Sequence, residues 1–142
     1  MIVHRCSWTL RCGFATERKN AERSKWDVNR VNRIQNLFSN ALSFNSNAGA
    51  WIVNRVATMQ NIFLITASFS ANLGLFQVGN VTMMQIMFNS ATVPNDDSSA
   101  WSVNRVTIMK GVIGSNESFS TNIGALQVSS VTTMEYMFGN AK

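Results

Sequence analysis

The chain has 142 residues, enough for one domain. It is 46% apolar but only 13% charged, well below the roughly 25% of an ordinary soluble domain. The net charge of +5 is concentrated in residues 1–25, which carry six Lys or Arg against two Glu; residues 26–142 carry six against five Asp or Glu. Residues 26–142 are therefore almost neutral, which argues against nucleic-acid binding through a basic stripe. No apolar run approaches the roughly 18 residues of a membrane helix.

Residues 1–25 form a basic leader that holds both cysteines, Cys6 and Cys12, and the single histidine, His4. So few cysteines exclude a disulfide-dense secreted scaffold. The leader is expected to be a degenerate repeat or an N-terminal cap, because the first unit of a stack would otherwise expose unpaired backbone. Two alternatives stay open: a metal site built from His4, Cys6 and Cys12, and a basic arm that docks acidic partners.

Arginines interrupt the start of the chain, so that Met1 to Phe14 lacks the continuous apolar core of a signal peptide. The protein is therefore expected either to stay inside the cell or to be a fragment that begins downstream of an export signal. The chain stops at Lys142, before the turn that closes the earlier units. This ending predicts a truncated fragment, or an open edge that pairs with another copy.

A hexapeptide recurs through the rest of the chain at a constant spacing of 25 residues. Its clearest copies begin at Trp26, Trp51 and Trp101, and looser copies begin at Phe76 and Leu126. A fixed spacing without insertions indicates a repeat architecture. The predicted units are 26–50, 51–75, 76–100, 101–125 and an incomplete 126–142.

Each unit predicts a strand, a short helix, a buried phenylalanine and a glycine turn. Counted from the first residue of a unit, apolar residues alternate at positions 1 and 3, as in a strand. They then recur at positions 6, 9, 12, 13 and 16, the spacing of one helix face. Position 7 is a threonine in three units, which predicts a cap on a short α or 3-10 helix. The predicted buttressing phenylalanines are Phe44, Phe69 and Phe119.

No single unit could bury these apolar residues, so the units must stack. The predicted fold is an α/β solenoid, a leucine-rich-repeat-like right-handed stack of short parallel strands and short helices with about five rungs of 25 residues. The methionine stripe then packs in the core, in preference to binding a soft metal or heme. The tryptophans are core residues in preference to ligand-stacking platforms, because Phe76 and Leu126 replace them in two units.

A longer period of two units is superimposed on the 25-residue repeat. Residues 51–91 and 101–141 agree at 19 of 41 positions, which indicates duplication of a two-unit segment. The third unit departs from the pattern, because 93–99 replaces the Ser-Phe turn with a polar stretch that contains the single proline. A mobile loop is expected there.

The repeat resembles that of the BspA-like leucine-rich-repeat surface proteins, which are similar to repeats of mycoplasma lipoproteins. Position 3 is always valine, and the resemblance covers about 26–142. It implies an exported or surface-attached module for adhesion and interaction, without enzymatic activity or a cofactor. The pattern W-x-V-x-x-V-T-x-M-x-x-M-F-x-x-A-x-x-F is carried by Trp26, Val28, Val31, Phe38, Ala41 and Phe44, and by Val78, Val81, Thr82, Met84, Met87, Phe88 and Ala91.

An enzyme is not expected, because the repeats contain no histidine or cysteine and their acidic residues occupy unrelated positions.

The favoured function is a scaffold that binds a protein or glycan through the polar face of the strands, where amide and guanidinium groups suit carboxylates, sulfates or sugar hydroxyls. In a competing interpretation, each Asn-Arg pair only shapes and solvates a turn. A structural module that self-assembles through open solenoid ends is the alternative function. The candidate ligand-face residues are Asp27, Asn29, Arg30, Asn54, Arg55, Gln77, Asn80, Asn104, Arg105 and Gln127.

Overall fold

The computed structural model describes residues 30–45, 48, 51, 53–70, 73, 78–92, 101–116, 124 and 126–141. Within these ranges no residue lies in a helix, and the β-pairing consists of isolated parallel bridges. Each bridge joins residues 25 apart, so neighbouring units lie side by side in the register of the sequence repeat. The leader and the predicted loop at 93–99 lie outside the described residues. The bridged residues, each paired with the next, are Arg33, Thr58, Met83, Ile108 and Thr133.

Positions 9–16 of each unit form a run of turns, which we call the turn ribbon. In the second unit Leu64 N donates to Asn61 O within the ribbon, at 3.3 Å, whereas Phe63 N donates to Met87 O of the next unit, at 3.0 Å. Local and inter-unit bonds thus alternate along the chain, which satisfies the backbone without a helix or a continuous strand. The other N–H groups that donate to the next unit belong to Asn36, Phe38, Asn40, Met59, Asn61, Ile65, Met84, Ile86, Phe88, Ser90, Met109, Gly111, Ile113 and Ser115.

The short helices predicted at these positions are not present in the described residues. Positions 11 and 15 adopt positive φ in all five units, with φ between 53° and 61°. Left-handed residues break an α-helix, but they suit successive tight turns. Such turns also bring residues three apart to one face, which explains why the apolar spacing resembles that of a helix. The residues concerned are Asn36, Asn40, Asn61, Ile65, Ile86, Ser90, Gly111, Ser115, Tyr136 and Asn140.

The strand predicted at positions 1–6 is also absent from the described residues. Val56 N donates to Val53 O at 2.9 Å, which closes a β-turn with Asn54 and Arg55 at its centre. Both valines are fully buried. In a strand, residues three apart would face opposite sides, so burial of both requires the chain to reverse. Equivalent turns close at 78–81, 103–106 and 128–131.

The core is a column of aromatic rings flanked by methionine and valine. The Phe63 ring is fully buried, with its centroid 4.3 Å from that of Phe69 and 5.3 Å from that of Phe88. Burial of Phe44 and Phe69 confirms the predicted buttresses; Phe119 lies outside the described residues. The predicted core role of the methionine stripe is confirmed for Met59, Met84, Met87, Met109 and Met137, which are at most 7% exposed. It is wrong for Met134 of the fifth unit, which is 39% exposed because no described unit follows the fifth.

The threonines at position 7 bond to the preceding unit and do not cap a helix. Thr107 Oγ1 donates to Thr82 O at 3.1 Å, and Thr107 N donates to the same oxygen at 2.8 Å. Thr82 and Thr132 repeat this arrangement with Ala57 O and Thr107 O. A column of hydroxyl groups therefore ties the units together at the edge where the parallel bridges lie.

Replacing Thr107 with valine is expected to lower the free energy of unfolding by about 0.5–1 kcal/mol, because it removes one inter-unit hydrogen bond and preserves the side-chain shape. Urea titration followed by circular dichroism measures the change. Thr107→Ser keeps the hydroxyl and serves as the control, with a smaller expected loss. A serine variant that is as unstable as the valine variant would show that the hydroxyl contributes nothing.

Candidate ligand-binding face

The turn at positions 3–6 presents the residues at positions 4 and 5 to solvent in the second, fourth and fifth units. Val53 and Val56 anchor the second turn in the core, while Asn54 and Arg55 are exposed. In this unit the apolar residues of the hexapeptide face inward and the Asn-Arg pair faces outward, as the sequence predicts, although a turn and not a strand creates the division; Ile52 lies outside the described residues. We call positions 4 and 5 of the described units the turn-tip face; it consists of Arg30, Asn54, Arg55, Gly79, Asn80, Asn104, Arg105, Ser129 and Ser130.

A chain of hydrogen bonds runs across three units of this face. Arg105 Nη1 donates to Asn80 Oδ1 at 2.9 Å, and Asn80 Nδ2 donates to the carbonyl oxygen of Asn54 at 2.5 Å. Ser130 Oγ makes the corresponding bond to Asn104 O at 2.6 Å. The side chain at position 5 is thus bonded to the preceding unit in the third, fourth and fifth units. Its partner is a backbone carbonyl in the third and fifth units and the Asn80 side chain in the fourth.

Arg55 and Arg30 have a different environment from Arg105. Both are exposed, and neither forms a hydrogen bond or ion pair with another described residue. An exposed guanidinium offers five N–H donors in a planar fork. Arg55 and Arg30 therefore present all their donors outward, whereas Arg105 has one donor committed to Asn80.

Cations outnumber acids in the described part of the chain. Its one acidic residue, Glu135, pairs with Lys110 through an Nζ–Oε2 contact of 2.7 Å. The hydrogen bond and the charge of Glu135 raise the pKa of Lys110, but both side chains are largely exposed, so the pair stabilises the fold little. The four described arginines consequently have no acidic partner within this part of the chain. The other acidic residues of 26–142, Asp27, Asp96, Asp97 and Glu117, lie outside the described residues, and this part of the sequence as a whole is almost neutral.

Seven of the ten residues predicted for the ligand face are exposed to solvent in the described part of the chain. Asp27, Asn29 and Gln77 lie outside the described residues. Sequence reasoning gave Asn80 no special role; its link to Arg105 depends on a side-chain contact that repeat position alone does not reveal. The predicted face residues that are exposed are Arg30, Asn54, Arg55, Asn80, Asn104, Arg105 and Gln127.

Other kinds of site find little support in the described residues. The two described tryptophans are poor ligand platforms: Trp51 is buried, and Trp101 packs against the core while its Nε1 donates to Leu73 O at 2.8 Å. No group of three His, Cys, Asp or Glu side chains within the described ranges could hold a metal ion. The metal ligands considered for the leader lie outside those ranges. In the same part of the chain no helix has the length and apolarity needed to cross a membrane.

Comparison with known proteins identifies a family. The family model described as "Mycoplasma protein of unknown function, DUF285" matches residues 10–114 and 93–142. No curated protein and no solved structure matches the chain. The two matched ranges together cover nearly the whole chain, including all the residues of the turn-tip face. The chain therefore belongs to this family of Mycoplasma proteins of unknown function.

Proposed function

We propose that this protein is a non-enzymatic scaffold that binds a protein or glycan through its turn-tip face. The observation that supports this most strongly is the recurrence of exposed amide and guanidinium groups at one repeat position, ordered across units by the Arg105–Asn80–Asn54 bonds. Polar groups held in a fixed array lose less conformational entropy when a ligand binds. The resemblance to BspA-like surface proteins favours an extracellular or cell-surface location.

The scaffold that we propose is a solenoid of the leucine-rich-repeat-like class. Parallel bridges between residues 25 apart and inter-unit backbone bonds from Asn36 through Ser115 support stacked units. Turn ribbons take the place of the helices in this stack. A stack of this kind would place one turn tip per unit along a single surface.

The test is a variant in which Arg30, Arg55 and Arg105 are changed to Ser. Binding of the parent and the variant is compared on arrays of glycans and extracellular proteins. Because the three side chains are exposed, the melting temperature should stay within a few degrees, while binding should fall at least tenfold. A variant with Arg18→Ser, Lys19→Ser and Arg23→Ser loses the same three charges from the leader and is the matched control. If the face variant binds as well as the parent, the proposed binding face is wrong, and the Asn-Arg pairs only shape and solvate their turns.

A self-assembling module is the second candidate, and the last unit favours it. Val128, Met134 and Phe138 are 38–44% exposed, whereas their counterparts one unit earlier are at most 5% exposed. The N–H groups of Met134, Tyr136 and Asn140 donate to no described backbone group, although the same positions bond onward in the preceding unit. Apolar side chains and unpaired donors together form a surface that another stacked unit would complete.

Sedimentation velocity over a range of concentrations tests the self-assembly candidate. The parent should show growth in mass with concentration, and Met134→Asp should remain monomeric because a charge would be buried at the contact. Ile65→Asp is the matched control, since Ile65 is 39% exposed like Met134 but belongs to the second unit, which has described neighbours on both sides. A parent that stays monomeric at every concentration would remove this candidate.

A further inference from the structure

We propose that the turn-tip face binds a linear anionic polysaccharide that runs across the stacked units, and that Asn80 is a positioning residue for Arg105. The inference rests on the proposed binding function and assigns it a chemical class of ligand. Three observations carry it: the repeat position of the arginines, the bond between Arg105 and Asn80, and the amide and hydroxyl groups that stand beside the arginines.

Three arginines stand at position 5 of their units: Arg30, Arg55 and Arg105. Parallel bridged units are separated by about 4.8 Å, so Arg30 and Arg55 lie about 5 Å apart along the stack and Arg55 and Arg105 about 10 Å. These intervals correspond to one and two sugar residues of an extended glycan. A polymer with a carboxylate or sulfate on each sugar or disaccharide would therefore match the arginines in register.

Asn80 occupies the unit between Arg55 and Arg105. Its amide is anchored by the carbonyl oxygen of Asn54 and in turn accepts a bond from Arg105 Nη1. The bond restricts the rotamers of Arg105 and uses one of its five donors. The remaining donors can engage a carboxylate or sulfate. Because the Arg105 side chain is already ordered in the free protein, it loses less conformational entropy when the ligand binds.

The neighbours of the arginines favour a glycan over other polyanions. Position 4 supplies the amides of Asn54 and Asn104, and the fifth unit supplies the hydroxyls of Ser129 and Ser130. These groups can bond to sugar hydroxyls. Single-stranded nucleic acids are bound through aromatic stacking as well as charge, and no aromatic residue stands at positions 4 and 5 of any unit.

The experiment compares dextran sulfate with uncharged dextran, which have the same backbone, and adds hyaluronan as a carboxylated polymer. Calorimetry should detect binding to dextran sulfate, hyaluronan or both, and none to dextran. Arg55→Gln and Arg105→Gln should each weaken binding by at least fivefold. Lys110→Gln removes the same charge from a residue that is paired with Glu135, and its effect should stay within twofold.

Asn80→Ala tests the positioning role. It should weaken binding about threefold or more in the parent and have no further effect in the Arg105→Gln background, because its contribution passes through Arg105. A general structural defect would weaken both backgrounds alike and would also lower both melting temperatures. Equal losses in the two backgrounds would therefore overturn the role of Asn80.

The outcomes separate this inference from the function on which it rests. Absence of binding to both anionic polymers would overturn the anionic ligand, as would equal effects of Arg55→Gln and Lys110→Gln. If arrays identify an uncharged glycan or a protein whose binding requires the three arginines, the binding face stands and the anionic polysaccharide is wrong. Tighter binding to oligothymidylate or polyglutamate than to dextran sulfate would likewise overturn the glycan.

Discussion

Replacing Phe63 with alanine is expected to lower the free energy of unfolding by about 3–5 kcal/mol. The ring is fully buried, and its centroid lies 4.3 Å from that of Phe69, 5.3 Å from that of Phe88 and 5.8 Å from that of Phe38. Alanine would leave a cavity at the centre of the aromatic column, and the rings of three successive units would lose a shared contact. Natural domains have only about 5–15 kcal/mol of stability, so this loss would remove a large share of it.

Phe138 provides the matched control because it occupies the same position in the last unit but is 44% exposed. Phe138→Ala should cost about 1 kcal/mol, since almost half of its surface is already in contact with water in the folded protein and its loss leaves no enclosed cavity. Urea titration of the two variants, followed by tryptophan fluorescence and circular dichroism, measures both losses. Similar losses for Phe63→Ala and Phe138→Ala would contradict the aromatic column as the centre of the core.

Replacing Ile86 with asparagine is expected to raise the free energy of unfolding by about 1–2 kcal/mol, and two features of the turn ribbon lead to this result. Ile86 adopts a φ of 55°, which is strained for a β-branched residue. Asn61, one unit earlier, donates through Nδ2 to Asn36 Oδ1 at 3.0 Å, but its own Oδ1 is buried without a hydrogen-bond partner. An asparagine at 86 tolerates positive φ and places an amide donor beside that oxygen.

The gain should exceed the loss of partly buried apolar surface, which is worth about 1 kcal/mol. Thermal unfolding should show a melting temperature higher by about 3–8 °C. Ile86→Gly relieves the backbone without supplying an amide and should be close to neutral, because glycine also gains entropy in the unfolded chain. Ile86→Val keeps the strain and should not stabilise. Equal stabilisation by valine and asparagine would show that neither backbone strain nor the Asn61 oxygen is the cause.

Part of the architecture follows from the sequence. The 25-residue spacing predicted which residues are neighbours, and the bridges between Arg33, Thr58 and Met83 confirm that register. Apolar positions predicted burial correctly for Val53, Met59 and most of the core, because transfer of apolar side chains out of water is favourable whichever backbone conformation accomplishes it. The stacked solenoid as a whole stays a proposal.

Local conformation was harder to predict. Residues three and four apart share a face in a helix and in a run of tight turns alike, so apolar spacing does not separate them. Asparagine often adopts positive φ, so Asn36, Asn40 and Asn61 are consistent with tight turns at positions 11 and 15. Ile65 and Ile86 stand at equivalent positions, and because isoleucine rarely adopts positive φ, the pattern could not be recognised from the sequence. The hydrogen-bond ladder to the next unit holds these isoleucines in a conformation that their own propensity disfavours.

The candidate site, like the fold, could be predicted only in part from the sequence. The outward orientation of Asn54 and Arg55 follows from the burial of the valines on either side. The link between Arg105 and Asn80 does not follow from either residue alone, because it requires side chains from two units to meet. Repeat position can indicate such a pair only when the fold is known to stack the units.

Disulfide formation between neighbouring units tests the stacked 25-residue register most directly. In a background with Cys6→Ser and Cys12→Ser, the pair Lys110→Cys and Glu135→Cys replaces side chains whose charged groups lie 2.7 Å apart. The Cα spacing of about 4.8 Å between bridged units falls within the range that a disulfide requires. The pair Gln85→Cys and Glu135→Cys spans two units and should lie about 10 Å apart. We predict that mild oxidation of the folded protein cross-links the first pair and not the second, and that urea abolishes the difference; equal cross-linking of both pairs, or of the second alone, would contradict the stack.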